Sequence, residues 1–140
     1  ASVETEVFAW GKLPLAYSAR CYTARTHNTA KDDCELRCLD YPDGLLLSTR
    51  EAESLLVLNG IQTQSARTHS LIKVLDHPKV DIFRISPQSC HTDRVIQIFH
   101  DCLQNNADPV EAQAQLQPYA PEGTCDGYWY GEPGMLTHTS

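Results

Sequence analysis

The chain has 140 residues, a formal net charge of −7 and a hydrophobic fraction of 41%, which fit at most one domain of ordinary size and exclude a disordered polymer. The acidic balance also excludes the basic stripe of a usual nucleic-acid surface. No apolar run reaches the length of a membrane span, and ASVETEVFAW lacks the basic and apolar regions of a secretion signal, so a soluble, cytoplasmic protein is expected.

Val3 to Trp10 alternates, with Val3, Thr5, Val7 and Ala9 on one face and Glu4, Glu6, Phe8 and Trp10 on the other. This predicts a strand ended by Gly11 and a turn around Pro14. Leu15 to Lys31 has no clean period and reads as a long loop with at most one helical turn, a kind of stretch that is often functional. Asp32 or Asp33 is placed to cap a short helix that sets Cys34 and Cys38 on one face. Tyr41-Pro42-Asp43-Gly44 is a turn, and the apolar runs Leu45 to Leu47 and Ser54 to Leu58 form a hairpin or a small excursion. Asn59-Gly60 ends the second run.

Gln62 to Asp76, with apolar residues at Ile61, Leu71, Ile72, Val74 and Leu75, is expected to be a helix stopped by His77-Pro78. Val80 to Ile85 reads as a strand. Thr92 or Asp93 caps a helix whose buried face is Val95, Ile96, Phe99 and Leu103, and Asp108-Pro109 starts another to Gln117. From Pro118 the chain reads as an irregular tail. Strands alternating with helices predict parallel pairing in an α/β fold. A sheet of about three main strands is thin for that class, so the chain reads as part of something larger.

The chemistry centres on Cys21, Cys34 and Cys38, with twelve residues between the first two and three between the last two. In a cytosolic protein such thiols point to a metal or an iron–sulfur cluster rather than to disulfides. Three thiolates are one short of the usual set for a cluster. Arg20, Arg25, Lys31 and Arg37 lie among them. Singly each is a solvated charge; together they suit the negative charge of a thiolate-bound centre or of an anionic substrate. A zinc site of Cys21, Cys34, Cys38 and His27 is the main metal alternative, disfavoured by the long first spacing and the lack of a close CxxC pair. Cys102 reads as a buried structural thiol, Cys90 as locally packed beside His91, and Cys125 as structural. The six histidines form no tight ligand motif, and nothing selects one of them as the partner of a nucleophilic cysteine.

Glu6-Val7-Phe8-Ala9-Trp10-Gly11, followed by Ser18-Ala19-Arg20-Cys21, resembles the E-x-F-x-x-G…S-x-x-C signature of the U32 peptidase family. LPLAYSARCYTAR (13–25), KDDCELRC (31–38), VLNGIQTQS (57–65), VDIFRISPQ (80–88) and CDGYW (125–129) resemble its UbiV-type branch, from oxygen-independent ubiquinone biosynthesis. Other branches carry a cysteine where this chain has Leu13-Pro14, a departure that favours the UbiV-type branch. The resemblance implies the C-terminal portion of a TIM-barrel-like α/β fold, as one U32-like domain over residues 1–140. Within it, residues 13–44 would be a cysteine-bearing insert and residues 118–140 an irregular tail. It further implies a 4Fe-4S cluster on Cys21, Cys34 and Cys38, with the fourth ligand upstream of this sequence.

The same resemblance implies a heterodimer with a UbiU-like U32 protein and work with a UbiT-like lipid-binding protein. Their shared reaction would be anaerobic hydroxylation of a quinone ring, with prephenate as oxygen donor. No residue pattern supports peptidase activity. Barrel enzymes carry their active residues at the C-terminal ends of strands, here Asn59, Gln62, Arg84, Ser86 and Gln88. Of these, Arg84, Gln62 and Asn59 are the candidate substrate-binding residues, Arg84 as a carboxylate clamp or, equally, an outward-facing strand residue. Tyr128-Trp129-Tyr130 suits covering a flat ring, though aromatics near a chain end more often seal a core. A zinc-stabilised scaffold and an RNA-hydroxylating U32 enzyme are the alternatives.

Overall fold

The computed structural model describes residues 2–138. Its first strand, β1 (Glu6–Tyr17), runs through Gly11 and Pro14, where the sequence predicted an end. Gly11 is what lets it continue: it takes φ +137, and a Cβ there would lie 2.6 Å from Ser86 Cβ, so no other residue suits the position. A register shift between Phe8 and Trp10 then breaks the expected alternation. Trp10 consequently joins Ala9 in the core instead of facing away from it.

The other strands are β2 (Leu45–Ser48), β3 (Ser54–Asn59), β4 (Gln62–Ser70), β5 (Ile82–Ile85) and β6 (Thr124–Cys125). Their order is β2-β3-β4-β1-β5, with β6 beside β4, and the path does not close. The α/β class holds, but the sheet is mixed: β2–β3 and β3–β4 are antiparallel, whereas β1–β5 and β4–β6 are parallel. The predicted hairpin is present, as is the turn before it, closed by Gly44 N–H donating to Tyr41 O at 2.9 Å.

The helix expected over Gln62–Asp76 is instead β4 followed by a 3-10 turn at Ile72–Val74. The first nine residues of that segment, QTQSARTHS, hold no apolar residue larger than Ala66 and so no stripe to bury as a helix, and pairing with β3 makes them a strand. Asn59 pairs with Gln62, leaving Gly60-Ile61 as a two-residue hairpin loop.

The chain divides into two compact units, residues 1–11 with 68–140 and residues 12–67. The first holds the main apolar cluster, including Trp10, Leu71, Ile72, Val95, Ile98, Phe99 and Leu116. Burying a side chain of the size of Phe99 contributes about 1.5–3 kcal/mol, and its ring meets Trp10 edge-on with centroids 6.1 Å apart. Helix α2 (Thr92–Gln104) buries Val95, Ile98 and Phe99, while Ile96 and Leu103, expected inside, are 49% and 42% exposed. The inward stripe passes through Cys102 instead, which packs against the cluster.

Thr92 does not cap its own helix; its hydroxyl exchanges hydrogen bonds with the backbone of Gln88, and His91 is the N-cap. Helix α3 (Pro109–Leu116) follows its predicted rules: Asp108 accepts from Val110 N at 3.1 Å and Pro109 opens the first turn. The final segment holds a short 3-10 helix, Gly127–Tyr130, of which Trp129 packs on the core while Tyr128 and Tyr130 are exposed.

The second unit consists of the outer half of β1, the β2–β3–β4 hairpins and the cysteine-bearing excursion with the short helix α1 (Tyr22–Thr26). Its buried residues among those described are Thr23, Ala24, Val57 and Ala66. No large aromatic or leucine is among them.

Candidate metal centre

Three cysteines lie on one excursion, residues 18–41, that leaves β1 and is tied at its start to the hairpin tip. Ser18 N–H donates to Ile61 O at 2.7 Å and Tyr22 N–H to Gly60 O at 2.8 Å. These bonds set Cys21 at the N-cap of α1, where its side chain makes no capping bond. Thr23 and Ala24 anchor α1 by burial, and Thr29 N–H and Oγ1 both reach back to Ala24 O. His27 closes the helix.

The single helix expected to carry Cys34 and Cys38 does not form. Two 3-10 turns, Lys31–Asp33 and Arg37–Asp40, are separated by Cys34, Glu35 and Leu36, the last two at φ 54. Left-handed backbone costs a residue with a Cβ about 1–2 kcal/mol, so strain sits between the two thiols. Leu36 and Leu39, 63% and 74% exposed, flank Cys38. The second turn packs against α1, and the Tyr41 ring beyond it lies 5.9 Å from that of His27. His27 Nε2 is buried and has no hydrogen-bond partner.

Cys21 and Cys34 are half-buried and Cys38 is exposed. Among the described residues, no three His, Cys, Asp or Glu side chains are grouped to hold a metal ion, and no disulfide forms. The donor set therefore falls short of a complete cluster site. The thiols share one excursion without converging, and the remaining cysteines, Cys90, Cys102 and Cys125, belong to the other unit. The surrounding cations divide as well. Arg37 pairs with Glu35 at 3.2 Å on the surface, while Arg20 and Arg25 are exposed; the Lys31 side chain lies outside the described residues.

The candidate substrate-binding residues are divided between the two units. Asn59 and Gln62 are ladder partners in unit 2, where Gln62 Nε2 donates to Tyr17 OH at 2.9 Å. Arg84 belongs to unit 1, exposed, with its guanidinium 5.5 Å from the centroid of the Phe8 ring. Gln88 is half-buried: its Oε1 accepts from Trp10 Nε1 at 3.0 Å and its Nε2 donates to Tyr119 O. Ser86 N–H donates to Trp10 O.

One group was missed by sequence reasoning. His69 is 5% exposed and is the ladder partner of Cys125, itself 1% exposed. Burial lowers the imidazole pKa below its ordinary value, against smaller raising effects from the Asp126 carboxylate and the Phe8 backbone. His69 Nδ1 has no partner. Reading this stretch as a helix hid the pairing, which only strand alternation would have suggested.

No protein-family model matches the chain, and no solved structure matches it at a significant level. No helix among the described residues is long and apolar enough to cross a membrane.

Proposed function

We propose that this chain is part of a U32-like, UbiV-type iron–sulfur subunit of an oxygen-independent hydroxylase in ubiquinone biosynthesis. In that reading it forms the C-terminal portion of a TIM-barrel-like fold and works with a UbiU-like partner, a UbiT-like lipid-binding protein and prephenate as oxygen donor. Cys21, Cys34 and Cys38 would hold a 4Fe-4S cluster, with the fourth ligand from the upstream part that the resemblance implies. The observation that carries the reading is that all three thiols, set in U32-like flanks, fall on one excursion of one unit. Strained Glu35 and Leu36 beside exposed Leu36 and Leu39 give that excursion a reason to rearrange on binding.

The test is metal analysis of the full-length protein purified without air. Iron and acid-labile sulfide in equal amounts, with a brown chromophore lost in Cys34→Ala, support the reading. A colourless, iron-free protein that remains active overturns it. A second reading, a zinc-stabilised scaffold, is favoured by the buried, unpartnered His27 Nε2, which would complete a Cys₃His set. Zinc without sulfide, lost in His27→Ala, would select it.

A further inference from the structure

Unit 1 holds a cavity of about 290 Å³, walled by Ser70 at the end of β4, Lys73 beyond it, Gln113 of α3, Thr124 and Asp126 around β6, and Thr137. Most of the lining residues carry a hydrogen-bonding side chain, beside Gly123 and Cys125. Ser70, only 6% exposed, donates from Oγ to Gln113 Oε1 at 3.3 Å, and Gln113 Nε2 donates to Thr124 Oγ1 at 2.8 Å. Thr137 Oγ1 donates to Thr124 O at 3.0 Å. This chain fixes the amide of Gln113 yet uses one of its two N–H groups and one of its two acceptor sites. The other pair is left for a ligand.

Two opposite charges face the same cavity without meeting. Lys73 forms no ion pair or hydrogen bond among the described residues. Asp126 takes the His138 backbone N–H on Oδ1 at 2.7 Å, which leaves Oδ2 open. His69, the nearby imidazole, is kept neutral by burial and so brings no cation to Asp126. Separate, unneutralised charges of opposite sign in one polar cavity are matched by a ligand that carries both signs. A ligand with only one would forgo one of the two charge-assisted contacts. The volume lies at the lower end for ligand pockets, which limits the occupant to a small molecule.

We propose that this cavity binds a small zwitterion of the α-amino-acid class, its carboxylate on Lys73 and its ammonium on Asp126, with a polar side chain against Gln113. The site belongs to unit 1, whereas Cys21, Cys34 and Cys38 belong to unit 2, and the proposal does not rest on the cluster reading.

The test is titration of the full chain with L-glutamine, N-acetyl-L-glutamine and L-glutamine methyl ester, followed by amide NMR shifts and calorimetry. L-glutamine is expected to shift Ser70, Gln113, Thr124 and Asp126. The two blocked forms should bind roughly tenfold or more weakly, the effect of one lost charge-assisted contact. Lys73→Met, at an exposed position, should remove the advantage of L-glutamine over its ester, and Asp126→Asn its advantage over the N-acetyl form. Absence of shifts at millimolar L-glutamine, equal binding of all three compounds, or unchanged affinity in Lys73→Met would each overturn the proposal.

Discussion

The two units are built on different terms. Unit 1 buries Trp10, Phe99, Ile72, Leu116 and Val95 in one cluster, whereas unit 2 buries Thr23, Ala24, Val57 and Ala66. Small folds with little apolar burial need a second source of stability, such as a metal, a partner or a covalent link. Unit 2 also exposes Leu36, Leu39, Leu46, Leu47 and Leu55, at 40% or more each. The unit that carries the three cysteines is thus the one whose own side chains do least to hold it. The difference teaches where binding energy and folding energy are most closely linked.

The largest expected effect lies in the well-packed unit. Phe99→Ala should cost about 3–5 kcal/mol in denaturant unfolding, against a far smaller loss for any single truncation on the excursion; equal losses would break the contrast. Gly11→Ala comes next, at about 1–3 kcal/mol, because the new Cβ meets Ser86 and φ is +137. A wild-type melting temperature in that variant would mean that β1 does not bend there.

The contribution of His69 depends on pH. Its folded pKa is lowered, so the folded state resists protonation. Stability should be level above about 6.5, where the unfolded imidazole is neutral. It should then fall as the pH drops from there through the folded pKa. The check is the difference in unfolding free energy between wild type and His69→Gln, which should narrow across that window. A flat difference would contradict the burial argument. The smallest effect belongs to unit 2: Arg37→Ala, which breaks the exposed pair with Glu35, should change stability by less than about 1 kcal/mol.

Legibility followed local chemistry. The Tyr41–Gly44 turn, the β2–β3 hairpin and the Asp108 cap of α3 were readable, because each depends on residues close in sequence. What was not readable came from long-range terms. The bulge at Phe8–Trp10 is set by pairing with β5, and β4 is a strand because of its neighbours rather than its propensity. Positive φ at Glu35 and Leu36 replaced the helix expected to align Cys34 and Cys38, and no glycine or asparagine announced it. The three cysteines fall on one excursion, but their spacing does not dictate how far the sulfurs converge. The unit 1 cavity was illegible for a related reason: its walls come from β4, α3, β6 and the final segment.

Hydrogen exchange of the anaerobic full-length protein, with and without reconstitution by iron and sulfide, tests the link between thiols and stability most directly. The account predicts strong new protection across residues 21–41 and little change in α2, with Cys34→Ala abolishing the gain. Uptake of iron that leaves residues 21–41 exchanging as before, or no uptake at all, would contradict it.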